Sequence, residues 1–436
     1  MPHSLLSRLE AAAQSRGGIT FLGSAGGETG EHRISYAQLH DDARAMAARL
    51  QARGIGPRTN VALLGPTTRP LVTAIQATWC CGAATVMLPL PMRLASIEEF
   101  VAQTRARVRA SDTALVIVDS QLAEFLDPQP GDPPMVLLDE LHAAGGRTDA
   151  FERPADDPDA LAILQYTSGS TADPRGVMLP HRCVAANIDA IMQAATLDPG
   201  VDVGVSWLPL YHDMGLIGLL TLPMTTGMEL ALAAPQDFLA APAQWMQWMS
   251  RFHGSATAGP NFSYALAARA LRRLDDLDLS RWTLALNGAE PVDPGAVEAF
   301  VAAGAPHGLA ATAAFPAFGM AEATLAVTFP EKGSGLAVDT IDGRVLETDR
   351  YAATVETSAP GARRLAKLGR PVPGLELRIC DSSTGTEMHE REVGELEIRG
   401  ASVTPGYYGR PDITEATFHD GWLRSGDLGY LVDGEL

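Results

Sequence analysis

Apolar residues recur along the first part of the chain at two alternating spacings. Between residues 36 and 54 they repeat every three to four positions, which predicts a helix that begins after Ser35. Short, mostly apolar runs predict buried strands at 61–64, 84–88, 114–118, 134–138 and 161–166. Helical spacing returns between the first two runs, at 70–82. This alternation predicts a parallel sheet covered by helices.

The pattern changes after residue 369, where apolar and polar residues alternate in short segments. The clearest are 375–379 and 394–399, and turn residues separate them. Period-two alternation is typical of strands with one buried face, so a small antiparallel sheet or barrel is expected here. The intervening stretch at 120–160 is rich in Asp, Pro and Gly and predicts a surface crossing between sheet units.

Composition narrows the class of protein. The chain has 436 residues, of which 46 % are apolar and 19 % charged, and it exceeds the length that one core usually serves, so two or more packed units are expected. The formal net charge is −19 and the only lysines are Lys332 and Lys367, which disfavours binding to a nucleic-acid backbone. Four cysteines without CxxC spacing favour reduced thiols over a zinc site.

Two targeting features are absent from the sequence. The residues from Met1 to Gly17 read as a polar helix rather than a signal peptide, and the longest apolar stretches, such as 214–225, are too short and too rich in Gly and Pro to span a bilayer. A cytoplasmic protein without stable membrane insertion is therefore expected.

A polar loop follows the predicted strand at 161–166. Residues 167–176 combine four hydroxyls, two glycines and Arg175. Glycines let backbone N–H groups approach an anion, hydroxyls donate further hydrogen bonds, and a guanidinium pairs with phosphate oxygens. By composition alone, an exposed turn leading to a helix near Pro180 explains the loop equally well. The candidate phosphate-binding residues are Thr167, Ser168, Gly169, Ser170, Thr171 and Arg175.

Two polar turns further along are candidates for the rest of a nucleotide site. The first, at 285–291, ends an apolar strand with Gly288, Ala289 and Glu290, although a helix start capped by Asn287 is an alternative. The second, at 314–324, places an aromatic ring close before a carboxylate. Aromatic planes suit a purine face, and a hard cation between phosphates prefers carboxylate oxygen. The candidates in this second turn are Phe318, Gly319, Met320, Ala321 and Glu322.

Two more segments complete the set of candidates. Residues 421–429 hold Asp427 in a glycine-rich turn, where a lone aspartate is more often structural. Residues 206–216 place an imidazole and a carboxylate beside an aromatic and an apolar run, and the imidazole could hydrogen-bond a carboxylate or an acyl phosphate, although a single histidine is more often structural. The candidates of this second segment are Trp207, His212, Asp213, Met214 and Gly215.

Taken in order, these motifs resemble those of the superfamily that contains acyl-CoA synthetases, peptide-synthetase adenylation domains and luciferases. The run Tyr211–Leu216, with the sequence YHDMGL, resembles fatty acyl-AMP ligases in particular. The specific resemblance covers about residues 160 to 430. It implies an α/β fold with two helix-flanked, mostly parallel sheets packed together and a small distorted β-barrel.

The resemblance also implies roles for individual residues. The loop at 167–171 with Arg175 would bind the β- and γ-phosphates of ATP, residues 288–290 and 318–321 would contact the adenosine, and Asp427 would accept both ribose hydroxyls. Glu322 would hold Mg²⁺, and His212 would bind the substrate carboxylate or its acyl phosphate. Three positions depart from the usual pattern, since lysine, tyrosine and threonine are commoner at Arg175, Phe318 and Ala321.

The implied organisation has three parts. Residues 1–332 form paired α/β subdomains with the ATP and acyl sites, 333–368 are an insertion of the kind that restrains the C-terminal domain and disfavours CoA in fatty acyl-AMP ligases, and 369–436 form the small barrel. A plain surface excursion at 333–368 is the alternative. A further C-terminal domain that supplies a lysine to the reaction is expected to be absent, and neither Lys332 nor Lys367 stands in that lysine's motif. The chain is accordingly expected to form adenylate weakly.

The expected activity is attack of a fatty carboxylate on the α-phosphorus of ATP, with Mg²⁺, to give acyl-adenylate and pyrophosphate. The acyl group would pass to the phosphopantetheine of an acyl carrier protein or of a polyketide or nonribosomal peptide synthase. An acyl-CoA synthetase and a non-catalytic nucleotide- and acyl-binding module remain alternatives. An amino-acid adenylation domain is disfavoured, because no acidic residue is evidently placed to hold an amino group.

Overall fold

A computed structural model describes residues 4–23, 30–91, 96–143, 150–166 and 175–436. Helices and strands alternate along most of this length. The strands are β1 (Gly18–Phe21), β2 (His32–Ser35), β3 (Asn60–Leu64), β4 (Ala84–Met87), β5 (Thr113–Val118), β6 (Met135–Leu137), β7 (Leu161–Tyr166), β8 (Gly176–Pro180), β9 (Val203–Ser206), β10 (Glu229–Leu232), β11 (Ala256–Gly259), β12 (Leu284–Asn287), β13 (Ala314–Pro316), β14 (Phe318–Gly319), β15 (Ala326–Phe329), β16 (Val338–Asp342), β17 (Ala362–Ala366), β18 (Arg370–Pro371), β19 (Leu375–Cys380), β20 (Gly394–Gly400), β21 (Phe418–His419) and β22 (Trp422–Gly429).

The helices connect and cover these strands. They are α1 (Leu5–Ala12), α2 (Tyr36–Gln51), α3 (Arg69–Cys80), α4 (Ile97–Ala110), α5 (Ser120–Ala123), α6 (Leu138–Ala143), α7 (His181–Ala194), α8 (Leu222–Thr226), α9 (Pro235–Ala240), α10 (Ala243–Arg251), α11 (Asn261–Leu271), α12 (Pro294–Gly304), α13 (Gly343–Asp349) and α14 (Pro411–Thr417). A π-helix spans Met214–Thr221, directly before α8.

Two large sheets form the body of the protein. Within the described residues, one has the strand order β6-β5-β3-β4-β7-β8 and the other the order β13-β12-β11-β9-β10-β1-β2. All neighbours are parallel except at one edge of each sheet, where β7 pairs with β8 and β1 with β2 in antiparallel fashion. The predicted α/β class, with helix-flanked and mostly parallel sheets, is therefore confirmed.

Local capping residues explain the starts of α2 and α3. Ser35 caps α2 through a capping box with Gln38, and Thr68 caps α3 by accepting the Leu71 N–H. The apolar stripe of α2 is buried, with Leu39 and Leu50 both fully excluded from solvent. At about 25 cal/mol per Å² of apolar surface, such burial stabilises helices that would be marginal alone.

The region after residue 369 forms the antiparallel sheet that its alternation predicts. Its strand order is β19-β20-β22-β21, and the inner strand β20 pairs with both β19 and β22. Strands β16 and β17 form a separate antiparallel pair with α13 beside them, inside the segment 333–368. Both strands of that segment form ion pairs with other parts of the protein. Arg364 of β17 pairs with Glu298 on α12, and Asp339 of β16 pairs with Arg391.

One connection differs from the expectation. The loop after β7 leads not directly to a helix but to β8, which turns back along β7 with Tyr166 opposite Gly176. Helix α7 begins only at His181. The short apolar run 176–180 completes the edge of the sheet, and a run of this length next to a predicted helix carries no periodicity that marks it as a strand.

A helix that crosses a membrane needs about 20 mostly apolar residues. In the part of the chain that the structure describes, no helix is long and apolar enough to do so.

Candidate active site

The carboxyl ends of two neighbouring strands bring the first two polar turns together. Strand β12 ends at Asn287 and β13 at Pro316, and the Ala317 N–H donates to the Asn287 carbonyl at 2.9 Å. Residues Gly288 and Ala289 therefore lie beside Phe318. A Cβ on Gly288 would approach the Ala317 carbonyl oxygen to 3.1 Å, so the two turns pack almost backbone to backbone.

Glu290 acts as part of the scaffold of the first turn. Its Oε1 accepts the N–H of Asn261 at 2.8 Å, at the start of α11. The Asn261 side chain in turn donates to the Pro291 carbonyl and accepts from Asn287. An acceptor at a helix N-terminus satisfies an otherwise unpaired donor. The proposed capping of a helix by Asn287 is not observed, because the next helix, α12, is capped by Asp293.

The turn that carries Glu322 is held by buried hydrogen bonds. Met320 N–H donates to the Leu325 carbonyl at 2.8 Å, and Thr324 sits at φ 77° with its hydroxyl on the Ser402 carbonyl. A β-branched residue in this region of φ is strained and persists only where surrounding contacts determine it. The position of Glu322 is thus fixed by its tertiary surroundings.

Asn187 of α7 supplies most of that support. It is fully buried and its amide donates to the carbonyls of Ala323 and Ala326 and to the Ser402 hydroxyl, while its Oδ1 accepts the Ala326 N–H. A single side chain therefore satisfies the backbone on both sides of Thr324. A buried amide with all its groups paired specifies one loop conformation.

The Glu322 side chain points toward a tyrosine. The Tyr407 hydroxyl donates to Glu322 Oε1 at 2.8 Å, which leaves Oε2 without a hydrogen bond from any residue in the described ranges. Burial raises the pKa of Tyr407 and the charge of Glu322 raises it further, whereas the nearby Arg175 guanidinium acts in the opposite direction.

The donor groups near Glu322 bear on cation binding. No cluster of three or more Asp, Glu, His or Cys side chains that could hold a metal exists among the described residues, so these residues offer no protein cage for a metal. One carboxylate with a free oxygen nevertheless fits a magnesium ion that takes its other ligands from phosphates and water.

Asp427 lies in strand β22, which is anchored from β20. Glu395, which is 8 % exposed, accepts from the Arg424 guanidinium and from the Gly426 N–H at 3.1 Å. The Asp427 N–H donates to the Ser425 hydroxyl. The Asp427 carboxylate itself is exposed on a cleft wall, and partial burial raises its pKa.

His212, Asp213 and Met214 lie at the start of the π-helix. Such helices are rare and are often found at functional sites. Gly215 is required there, because a Cβ would approach the Pro209 carbonyl oxygen to 2.3 Å. Desolvation lowers the pKa of His212 below its ordinary value, which favours the neutral imidazole.

Asp213 carries a carboxyl group in the wall of a mostly apolar cavity. It accepts the Met214 N–H at 2.7 Å, and burial, aided by the charge of Glu322, raises the pKa of its carboxyl to about 6. A raised pKa means that the folded protein retains a proton that the unfolded chain releases. Asp213 therefore opposes folding increasingly as the pH rises from about 4 to 6, and by a constant amount above that range.

Replacing Asp213 by asparagine should remove this penalty. We expect the Asp213→Asn protein to melt about 2–4 °C higher than the wild type at pH 7.5, and the two melting temperatures to converge near pH 4. Differential scanning fluorimetry across this range measures the difference. Asp349→Asn, at an exposed site on α13, is the control and should show no such trend. An equal difference at both pH values would contradict the interpretation.

Two cavities meet at the candidate residues. A narrow apolar cavity of about 90 Å³ has Asp213, Met214, Gly218 and Thr257 in its wall, and an open cleft of about 710 Å³ has Glu290 in its wall. Their shared boundary is formed by Ala289, Ala317, Phe318 and Gly319. The cleft also contains Asp427 and residues of the 333–368 segment, namely Asp339, Leu346, Glu347, Arg350, Leu365, Ala366, Lys367 and Leu368.

Seven of the candidates that the structure describes are in the wall of neither cavity: Arg175, Trp207, His212, Gly215, Met320, Ala321 and Glu322. Trp207 is 3 % exposed and stacks on Phe238 at 3.7 Å between ring centroids, within an aromatic cluster that includes Trp245. Of the two cavities, neither has Trp207 in its wall. Ala321 is buried and belongs to the short turn beneath Glu322. These two residues support the site, and direct contact with a substrate remains a prediction.

The candidate phosphate loop, Thr167, Ser168, Gly169, Ser170 and Thr171, lies outside the described residues. The structure describes the residues that flank it. Tyr166 and Gly176 are paired across the β7–β8 hairpin, and Arg175 is exposed at the start of β8.

Three side chains with clear contacts to the site did not stand out in the sequence. Asn187 and Glu395 are isolated polar residues in otherwise unremarkable segments, and their hydrogen-bond partners are distant in sequence. Tyr407 lies in the segment Pro405–Tyr408, whose Pro-Gly-aromatic composition marks a turn but not a contact with Glu322.

Comparison with known proteins identifies relatives of which this chain spans about three quarters of the length. Residues 9–408 match the family model described as AMP-binding enzyme. The chain is similar to Rv1013 of Mycobacterium tuberculosis, a protein named as a ligase, with 39 % identity over 92 % of this chain and 73 % of that protein. It is 31 % identical to JamA of Moorena producens, a medium-chain-fatty-acid–[acyl-carrier-protein] ligase, over 94 % of this chain and 72 % of the relative.

A solved structure extends the similarity to three dimensions. The fatty acyl-adenylate ligase of Legionella pneumophila, in complex with acyl adenylate and pyrophosphate, superposes with a TM-score of 0.91 at 30 % identity. The match covers 100 % of this chain and 76 % of that one.

Proposed function

This chain belongs to the AMP-binding enzyme family, and we propose that it is a fatty acyl-AMP ligase, which activates a fatty acid with ATP. The observation that carries the proposal is the junction of the two cavities. An apolar cavity and a polar cleft share the wall Ala289, Ala317, Phe318 and Gly319, so an acyl chain in one and a nucleotide in the other would meet there. Reaction between a carboxylate and an α-phosphate requires this adjacency.

In the proposed reaction a carboxylate oxygen attacks the α-phosphorus of ATP, and the bond to pyrophosphate breaks. Phe318 would lie against the adenine, and Asp427 would accept hydrogen bonds from the ribose hydroxyls. Arg175 and the hydroxyls at 167–171 would bind the pyrophosphate, while neutral His212 would donate to the acyl phosphate. When bound, magnesium would neutralise charge that builds up on the phosphate oxygens.

Glu322 would hold this ion through the carboxylate oxygen that Tyr407 leaves free. The chain's own contribution is therefore orientation and charge compensation, and no covalent enzyme intermediate is required.

The relatives support the fatty acid as substrate and a carrier as acceptor. JamA is named as a ligase that joins a medium-chain fatty acid to an acyl carrier protein. We propose the same acceptor class here, the phosphopantetheine of a carrier protein or of a polyketide or nonribosomal peptide synthase. The 333–368 segment is proposed to disfavour CoA, since it supplies one wall of the nucleotide cleft.

The test measures pyrophosphate release from ATP with fatty acids of graded length, and traps the adenylate with hydroxylamine. Release that depends on the fatty acid supports the proposal. Adding CoA or a phosphopantetheinylated carrier protein then identifies the acceptor, and thioester formation with CoA alone would indicate an acyl-CoA synthetase. Binding of ATP without pyrophosphate release from any acid would instead indicate a binding module.

Gly218 provides a specific test of the acyl cavity. It lines this cavity from the π-helix, and a Cβ there would come within 2.9 Å of the Leu325 side chain. We expect Gly218→Leu to raise the KM of the longest accepted fatty acid at least about tenfold and to leave the KM of ATP within about twofold, because only the acyl space narrows.

The control for this variant is Gly56→Leu, at a site where an added Cβ meets nothing within 4 Å. It should change neither constant. An increase in the KM of ATP equal to that of the fatty acid would argue against the assignment of the cavity.

A further inference from the structure

The geometry points to Tyr407 as a positioning residue for Glu322. We propose that its hydroxyl holds the Glu322 carboxylate in the orientation that binds a divalent cation with ATP, and that the 402–408 segment ties this orientation to β8, the strand that follows the candidate phosphate loop. The inference rests on the proposed function for the role of Glu322.

Tyr407 and its segment contact Glu322 at both backbone and side chain. The Tyr407 hydroxyl donates to Glu322 Oε1 at 2.8 Å, and the Thr404 N–H donates to the Glu322 carbonyl at 2.7 Å. Tyr407 is 6 % exposed, so its hydrogen bond is largely protected from competition with water. The first bond restricts the side chain and the second fixes the backbone from which it projects, which together lower the entropic cost of binding a ligand in one geometry.

The other side of the 402–408 segment pairs with β8. Met178 N–H donates to the Gly406 carbonyl at 3.0 Å, and Tyr408 N–H to the Gly176 carbonyl at 2.8 Å. The Thr404 hydroxyl adds a bond to the Met178 carbonyl at 2.6 Å. The segment thus acts as a short additional strand on β8, and its first contact with β8 is one residue after Arg175.

Further hydrogen bonds hold the 402–408 segment in place. The Ser402 carbonyl accepts the Thr324 hydroxyl, and the Ser402 hydroxyl accepts from Asn187. The Tyr407 N–H donates to the Thr414 hydroxyl on α14. Because these bonds join α7, α14, β8 and the Glu322 turn, the orientation of the Tyr407 ring is set from several directions before any ligand binds.

The test uses Tyr407→Phe, which keeps the ring and removes only the hydroxyl. We expect the Mg²⁺ concentration for half-maximal pyrophosphate release to rise about tenfold, a typical effect of losing a hydrogen bond to a charged group. The KM of the fatty acid should stay within about twofold. Binding of Mn²⁺ in the presence of a non-hydrolysable ATP analogue, followed by electron paramagnetic resonance, should weaken by a similar factor.

Two comparisons separate positioning from a general loss of structure. Tyr408→Phe is the matched control, because Tyr408 is adjacent and its hydroxyl contacts Asp112 instead, at 3.2 Å. It should leave the dependence on Mg²⁺ unchanged. In a Glu322→Gln background, Tyr407→Phe should have less than a twofold further effect on Mn²⁺ binding, since both changes act on one ligand.

The inference is overturned if Tyr407→Phe binds Mn²⁺ and responds to Mg²⁺ as the wild type does, or if its effect is undiminished in the Glu322→Gln background. It is also overturned if Tyr408→Phe gives the same shift. Its failure is distinguishable from that of the proposed function. Weakened binding of Mn²⁺ and ATP analogue in a protein that activates no fatty acid would support the positioning role and reject the fatty-acid activity.

Discussion

Pyrophosphate release by the Glu322→Gln protein is expected to fall about 100- to 1,000-fold at saturating ATP and fatty acid. The amide keeps the size of the side chain but removes the negative charge proposed to hold the cation at the phosphates, and groups that stabilise charge in a transition state typically contribute on this scale. The KM of the fatty acid should change little. Single-turnover measurements with hydroxylamine trapping determine the rate of adenylate formation directly.

Glu331→Gln is the control for this variant. Glu331 is an exposed carboxylate nine residues further along the chain, so it tests the effect of the same chemical change outside the site. Its rate should equal that of the wild type. A rate for Glu322→Gln within about twofold of the wild type would remove Glu322 from the proposed chemistry.

The second large effect is expected for Asn187→Ala. This change leaves the carbonyls of Ala323 and Ala326 and the Ala326 N–H without their partner in a fully buried location. Unsatisfied buried groups cost about 1–3 kcal/mol each, so a loss of about 3 kcal/mol in the free energy of unfolding is expected overall. Urea denaturation followed by tryptophan fluorescence measures this loss.

The same variant should affect the active site before it unfolds. Asn187 fixes the turn that carries Glu322, so binding of the magnesium–ATP complex should weaken at temperatures where the fold is still intact. Gln193→Ala, exposed on the same helix α7, is the control and should leave both stability and nucleotide binding unchanged. If Asn187→Ala were as stable as the wild type, the buried network would not have the role inferred for it.

The 333–368 segment occupies a position that agrees with the role proposed for it. It lines the nucleotide cleft through residues such as Arg350 and Lys367, and Lys367 is paired with Glu435 beyond the small sheet. The Asp339 carboxylate accepts from both Arg391 and Tyr430. A plain surface excursion would not require such contacts on both of its sides. The effect of the 333–368 segment on the use of CoA remains a prediction.

Much of the fold could be predicted because its signals are local. The capping box of α2, the apolar stripe from Leu39 to Leu50 and the short buried runs each depend on neighbouring residues alone. Strand β8 was missed because five residues between a polar loop and a helix carry no distinguishing period. Its pairing with β7 is a tertiary fact, set by the sheet edge.

The candidate site, too, could be predicted from the sequence only where its signals are local or match a known motif. The order of the glycine-rich turns, the aromatic-glycine-glutamate run and Asp427 was sufficient to indicate nucleotide chemistry by resemblance. Trp207 was a reasonable candidate for the acyl site from its neighbours, but the structure buries it against Phe238 and Trp245, since a large indole stabilises the fold most where it is fully enclosed.

The sequence by itself thus determined the class of the fold and the start of α2, because both follow from local patterns, and its motifs indicated ATP and fatty-acid binding by resemblance. Only the tertiary structure decided that Phe318 and Gly319 stand between an apolar cavity and a polar cleft, and that Tyr407 and Asn187 hold the Glu322 turn. These contacts join residues that are 85 and about 139 positions apart, and no local pattern encodes which distant side chain will satisfy a buried polar group.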